Sequence, residues 1–164
     1  APDAMVLDCG CGGGANIKTL LKLCPNGKVQ GIDYSAVSVE KARKVNAGAI
    51  AAGRCTVQQA SVAELPFEAE QFEVVTAFET VYFWPELVQN FREVYRVLKP
   101  GGIFFICNEA NGETAKDDKW TQIINGMTIY TDTALKAYLE QAGFCQIQSH
   151  KNKKGWLCVT AQKR

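Results

Sequence analysis

A chain of 164 residues, 47% of them hydrophobic, is long enough for one domain with a sizeable core. Its formal net charge of +1, from 18 basic and 17 acidic side chains, excludes a global basic field that would draw it to nucleic acid or an anionic membrane. No apolar run approaches the roughly 20 residues of a membrane span, and no internal repeat or low-complexity segment is present.

The first strand ends in Val6-Leu7 and runs into Asp8-Cys9-Gly10-Cys11-Gly12-Gly13-Gly14. Residues 15–23 then have helix-compatible spacing, with Ile17, Leu20 and Leu21 on one side. Strand, glycine turn, helix is an arrangement that binds phosphates or nucleotides. Glycines let a ligand approach the backbone, and the helix N-terminus offers unpaired N–H groups. Cys24-Pro25-Asn26-Gly27 is a turn signal. Residues 29–33 read as the second strand with Asp33 at its tip, where such folds hold a ribose diol. Ser35 is placed to cap one helix over about residues 36–51, with Val39, Ala42 and Val45 inward.

Residues 55–59 form a third short strand, followed by Ala60-Ser61-Val62-Ala63-Glu64-Leu65-Pro66-Phe67. The near-continuous apolar run over residues 72–78 reads as a buried parallel strand. Pro85 and Glu86 open a helix with Leu87, Val88, Phe91, Val94, Tyr95 and Leu98 on one face, and Lys99-Pro100-Gly101-Gly102 stops it. A fifth strand follows over residues 103–108. Residues 111–130 are irregular and polar, readable as a cover over a substrate or as a surface loop with a short helix. Asp132 is placed to cap a last helix with Leu135, Tyr138, Leu139 and Ala142 inward, ended by Gly143. Residues 144–149 and 156–162 are two more strands. Only a short lysine-rich turn separates them, too little for a parallel crossover, so the last strand runs antiparallel.

The seven cysteines include no CxxC pair and nothing with metal-site spacing. They read as small structural residues and reduced thiols, which implies a cytoplasmic setting. The first strand begins within a few residues of Ala1. His150, at the end of the sixth strand, reads as structural.

The glycine turn alone leaves two ligands open. Gly10-x-Gly12-x-x-Ala15, with Asp33 downstream, also satisfies a dinucleotide fingerprint. Asp8 favours the other reading. A carboxylate there repels a pyrophosphate but attracts an ammonium, by about 4 kcal/mol at ~4 Å and an effective dielectric of ~20. S-adenosylmethionine carries an α-ammonium and no phosphate.

The succession of motifs resembles the class I S-adenosylmethionine-dependent methyltransferases, especially their small-molecule, methyltransferase-domain-11-like branch. Val6-Leu7-Asp8-x-Gly10-Cys11-Gly12-x-Gly14 is similar to that family's first motif, and Gly31-Ile32-Asp33-Tyr34-Ser35 to its ribose-binding second strand. Leu65-Pro66-Phe67, Phe72-Glu73-Val74-Val75 and Arg96-Val97-Leu98-Lys99-Pro100-Gly101-Gly102 are similar to its later landmarks, and Tyr138-Leu139-x-x-Ala142-Gly143-Phe144 to its last helix end. The resemblance implies a Rossmann-like three-layer α/β sandwich with a mostly parallel seven-stranded sheet, order 3-2-1-4-5-7-6, and an antiparallel last strand. It implies one domain over residues 1–164, lacking the N-terminal helices that usually precede the first strand. It implies S-adenosyl-L-methionine as cofactor and a small-molecule acceptor. Asp8 with the backbone of Gly10, Gly12 and Gly14 would hold the methionine part. Asp33 would take the ribose hydroxyls, Tyr34 would lie against the adenine, Ser61 and Val62 would sit at the adenine edge, and Phe78 would line the cofactor near the sulfonium. The family usually has Asp where this chain has Ser61.

Methyl transfer from a sulfonium is an in-line displacement with a neutral leaving group, so positioning supplies most of the rate. A base is needed only where the acceptor must lose a proton, and Glu79, just beyond the fourth strand, is the candidate. Tyr82, Phe83 and Trp84 follow it and can wall an apolar acceptor pocket. Within the family, DNA amino-methylation uses an Asn/Asp-Pro-Pro-aromatic run where this chain has Phe78-Glu79-Thr80-Val81. Arginine methylation uses two close glutamates, and cytosine methylation a Cys after a Pro; neither occurs in this loop. A nicotinamide-dependent oxidoreductase and a non-catalytic S-adenosylmethionine-binding module are the alternative readings.

Overall fold

Strand β1 (Met5–Cys9) takes a parallel partner on each edge in the computed structural model, which describes residues 1–164. Val6 stands between Val29 of β2 (Lys28–Asp33) and Val74 of β4 (Phe72–Phe78). With β3 (Cys55–Gln59), β5 (Leu98–Asn108), β6 (Cys145–Lys151) and β7 (Leu157–Gln162) the sheet has the order β3-β2-β1-β4-β5-β7-β6, as the sequence led us to expect. The first five strands pair in parallel, and β7 runs antiparallel to both β5 and β6. The short Lys-rich connection before β7 forces this, because a parallel return needs a crossover of a dozen or more residues.

Strand alternation divides the core between two faces. On one, Leu7, Cys9, Val75, Ala77, Phe104, Ile106, Val159 and Ala161 pack with residues of α4 (Leu87–Val97) and α6 (Asp132–Gln141). Phe104 centres this cluster, stacked on Trp84 at 6.1 Å and edge-on to Phe91 at 5.5 Å. On the other, Val6, Val29 and Val57 pack with Ile17 and Leu21 of α1 (Ala15–Leu23) and with Val39 and Ala42 of α2 (Ala36–Val45). These helices and α3 (Ala47–Ala51) lie over β1, β2 and β3. The same face of β4, β5 and β7 carries Phe78, Phe105, Cys107 and Cys158, all half-buried.

Three local expectations are corrected. The helix expected over residues 36–51 is two helices, broken at Asn46. Asn46 is buried, and its Nδ2 donates to the carbonyls of Gly14 and Ala42, both at 3.0 Å. The side chain thus spends its donors on the glycine turn, and the backbone leaves the helical path there. Strand β5 begins at Leu98, directly after α4, because Leu98 already pairs with Phe72 across a register shift; the glycines lie inside the strand. The last helix is capped by Thr131, whose hydroxyl accepts from the amide of Ala134 at 3.2 Å, and Asp132 is its first residue.

The turn after β1 runs through three left-handed glycines, Gly10, Gly12 and Gly14, with φ of +76°, +51° and +83°. Two of them are glycine for packing as well. A Cβ on Gly10 would stand 2.2 Å from the Thr80 hydroxyl oxygen, and one on Gly14 would meet Asn46 at 2.6 Å and Ala42 at 2.8 Å. A Cβ on Gly12 would meet nothing within 4 Å.

Asn46→Ala removes both donations and leaves the Gly14 carbonyl without its side-chain partner. It should destabilise the chain by about 1–3 kcal/mol. Thermal denaturation followed by circular dichroism checks this, and an unchanged midpoint would show that the turn does not depend on Asn46.

Candidate functional site

The carboxyl ends of β1, β2 and β4 meet at a cleft of about 330 Å³, lined among others by Gly10, Ile32, Asp33, Tyr34, Ser61, Val62 and Thr80. Five of the ten residues named from sequence (Gly10, Asp33, Tyr34, Ser61 and Val62) come together on its walls. Asp33, mostly buried, has its two carboxylate oxygens engaged: Oδ2 accepts from the Gly12 amide and Oδ1 from the Ser35 amide, both at 2.9 Å. Each oxygen keeps lone-pair capacity for a further donor, as a ribose diol requires. Tyr34 is 78% exposed, with its ring over the rim. The Gln59 side-chain amide donates to the Tyr34 carbonyl at 2.8 Å, which fixes the backbone there. Ser61 accepts from the Ala63 amide at 3.1 Å in a tight turn.

Asp8 lies behind the turn, off the cleft wall. It is 1% exposed; Oδ1 accepts from the Thr76 hydroxyl at 2.7 Å, and Oδ2 has no hydrogen-bond partner. Burial pushes its carboxyl up to about 6, against the lowering effect of Thr76. Gly14 serves as the left-handed cap of α1 and Gly12 as its approach, so both shape the turn and do not line the cleft. Helix α1 has no side-chain cap and no acidic residue in its first turn, which leaves its terminal amides available to a ligand. Phe78 lines neither cavity. Alternation turns it to the β4–β5–β7 face, where its ring packs on Phe105 at 5.7 Å.

A second, larger cavity of about 600 Å³ adjoins the first, and Phe83 lines both. Its floor is Glu79, Tyr82 and Glu109; its far wall is Trp120 of α5 (Ala115–Ile123) with Ile124 and Met127. The irregular 111–130 segment is therefore a wall of the site. It is tied down by Asp117, which accepts from the amides of Asn111 and Gly112 at 3.2 and 2.7 Å, and by the Thr128 amide donating to the Tyr82 carbonyl at 2.8 Å. No motif marks this segment, and the sequence left it open between a cover over the site and a surface loop with a short helix; the structure lines the cavity with it.

Glu79 sits in the left-handed region at φ +56°, an uncommon conformation for a residue with a side chain. Its carboxylate accepts from the Tyr82 hydroxyl at 3.3 Å and from the Glu109 amide. Burial raises its pKa above the ordinary carboxylate value, partly offset by these two hydrogen bonds. Tyr82 in turn accepts from the Ala110 amide at 2.9 Å, so one buried phenol joins the loops after β4 and β5. The arrangement places the Glu79 carboxylate on an aromatic-lined cavity, beside a cleft rimmed by the Asp33 carboxylate. No cluster of three or more His, Cys, Asp or Glu side chains is placed to hold a metal ion.

Comparison with known proteins agrees with this geometry. The family described as a methyltransferase domain matches residues 7–106. A demethylmenaquinone methyltransferase of Symbiobacterium thermophilum is 34% identical over 111 residues, covering 67% of this chain and 44% of that protein. A cycloartenol-C-24-methyltransferase of Arabidopsis thaliana is 30% identical over 152 residues, covering 87% of this chain and 45% of that protein. The chain thus spans less than half the length of these two relatives. Among solved structures, an S-adenosylmethionine-dependent methyltransferase from Aquifex aeolicus superposes with a TM-score of 0.83 at 21% identity, over 98% of this chain and 82% of that one. With the match spanning the glycine turn, the Asp33 strand and the Glu79 loop, the chain belongs to the class I S-adenosylmethionine-dependent methyltransferase family.

Proposed function

We propose that this chain transfers a methyl group from S-adenosylmethionine to a small-molecule acceptor held in the 600 Å³ cavity. The observation that carries the reading is the pairing of two cavities across Phe83, one rimmed by Asp33 and the other floored by Glu79. The residues fit the cofactor. Asp33 suits a ribose diol, the open space at Gly12 admits close approach to the backbone, and the unpartnered Oδ2 of Asp8, buried behind the turn, would meet an ammonium only where the turn shifts to admit it. Tyr34, Ser61 and Val62 supply the adenine side of the cleft. When bound, S-adenosylmethionine supplies an electrophilic methyl group on a sulfonium. Trp120, Phe83 and Met127 hold the acceptor by apolar contact and exclude water. Glu79 takes the proton from acceptors that must lose one, with Tyr82 and the Glu109 amide orienting its carboxylate.

The relatives' names, sterol and demethylmenaquinone methyltransferases, support an apolar acceptor and set the first compounds to test. A cytoplasmic setting belongs to the same reading, supported by seven free cysteines; no helix is long and apolar enough to cross a membrane. So do helices N-terminal to β1 that close over the cleft, which the exposed rings of Tyr34 and Phe83 on the cleft and of Trp120 on the adjoining cavity support.

Calorimetry with S-adenosylhomocysteine and with NAD tests the cofactor assignment. Binding of the first alone is expected; binding of NAD alone would replace the reading with an oxidoreductase. Asp8→Asn separates stability from binding. The folded carboxyl titrates at about 6, above its ordinary 3.8, so ionising it works against the fold. The stability from holding the proton is fully present below about pH 4 and lost as pH rises through 6. The variant should therefore be more stable than the parent at pH 7.5, by up to about 3 kcal/mol, and nearly equal to it at pH 4. It should also bind S-adenosylhomocysteine more weakly. Equal affinity would remove Asp8 from the ligand's surroundings.

Glu79→Gln should keep S-adenosylhomocysteine affinity and lose about 10²–10⁴ in turnover with acceptors that release a proton. The parent's rate should rise with pH through a carboxyl pKa above the ordinary range, a limb absent from the variant. Radiolabelled methyl transfer to a quinol and sterol panel measures both. Full turnover in the variant would leave Glu79 as a structural tie between loops.

A further inference from the structure

Cys107 of β5 and Cys158 of β7 are direct partners in the antiparallel ladder, with their sulfurs 3.3 Å apart and the Cys158 thiol donating. The kind of pair they form follows from the other edge of β5. The Cys107 carbonyl accepts from the Glu79 amide, so its backbone polar groups point to β4 and away from β7. Cys107 and Cys158 are therefore a non-hydrogen-bonded pair, the closely spaced type with Cα atoms about 4.5 Å apart. That separation falls within the span that a disulfide bridges, roughly 4.4–6.8 Å, at its short end. Both thiols are half-buried on the face of β4, β5 and β7 that α1, α2 and α3 do not reach. On the next strand His150, exposed, is the direct partner of Cys158 and brings an imidazole to the same face. Cys9, Cys11, Cys24 and Cys55 are buried, and the Cys145 thiol is taken up by the Gln162 carbonyl at 3.4 Å.

We propose that Cys107 and Cys158 form a reversible inter-strand disulfide when the protein meets a disulfide oxidant such as oxidised glutathione. The Cys158 sulfur, across the strand pair from the exposed His150, attacks first. It displaces one glutathione thiolate and becomes a mixed disulfide. The Cys107 sulfur then attacks the Cys158 sulfur and expels the second glutathione. Two electrons pass from the cysteine pair to the oxidant, and the two thiol protons end on the two glutathione thiols released. The new bond ties β7 to β5 one residue before Asn108, at the strand end that leads into Glu109, Ala110 and Asn111 of the larger cavity. Oxidation therefore fixes the edge of that cavity, and reduction by a dithiol frees it.

The test is a thiol map of the folded chain after exposure to oxidised glutathione, alkylation of the remaining thiols, and tryptic digestion. Lys116, Lys136, Lys151 and Lys154 separate Cys107, Cys145 and Cys158 into different peptides. The expected product is a Cys107–Cys158 linked peptide as the main oxidised species, abolished by dithiothreitol. Cys158→Ser should show no link at Cys107, and Cys9, Cys11, Cys24 and Cys55 should react only after denaturation. A parent chain that gives stable glutathione adducts on Cys107 or Cys158 without the link, or links Cys107 to other cysteines as often as to Cys158, overturns the proposal. So does a folded chain in which neither cysteine reacts.

Discussion

The whole cofactor side of this domain hangs on a carboxylate at the end of β2. Asp33 accepts from the Gly12 amide in the turn after β1 and from the Ser35 amide at the start of α2. It thereby joins two loops, adding a side-chain tie to a turn whose Gly10 and Cys11 amides also donate to the Ile32 carbonyl. Hydrogen bonds to a charged group contribute about 1.5–3 kcal/mol each, more than a neutral bond. Asn46 completes the clamp from α2 by donating to the Gly14 carbonyl. These bonds form without a ligand, so a ribose diol binding to Asp33 would meet an oriented carboxylate. The same two bonds mean that Asp33 is part of the fold as well as of the cleft. A strand-tip carboxylate looks dispensable for folding in the sequence; this one is not.

The two faces of the sheet are built differently, and the site follows from that. One face is closed by α4, α6 and the aromatic group around Phe104, a continuous apolar layer. The other is covered over β1 to β3 by α1, α2 and α3. Between these layers the loops after β4 and β5 turn upward, and Tyr82 joins them with hydrogen bonds to Glu79 and Ala110. The 330 Å³ cleft lies where the sheet's strand order reverses, between β1 and β4, the place where open α/β sheets take their ligands.

Much of this was legible because the signals are local. The glycine turn, the Ser35 cap and the apolar run of β4 each specify their structure within a few residues, and the short turn before β7 specifies its direction. What sequence reading missed depends on partners far along the chain. The break at Asn46 exists because of Gly14, 32 positions earlier. The early start of β5 depends on Phe72 in β4. Asp8 was placed at an open strand tip against the methionine part of the cofactor; strand alternation puts it beside Thr76 and away from solvent. Phe78 was read as a cofactor contact, and the same alternation turns it to Phe105. The 111–130 wall of the larger cavity was left open between a cover and a surface loop, because α5 owes its place to Asp117 and to a backbone bond at Thr128.

Phe83 is the one side chain common to both cavities, and it is 44% exposed. On the proposed function, either ligand would order that half-exposed ring on arrival. The second ligand then meets a wall already set, and is spared that part of the entropy loss. Because such coupling is a property of the ternary state, it acts equally in both directions: whatever factor the donor adds to acceptor affinity, the acceptor adds to the donor's. On that reading one aromatic partition would link the affinities of the two cavities with no movement of the sheet.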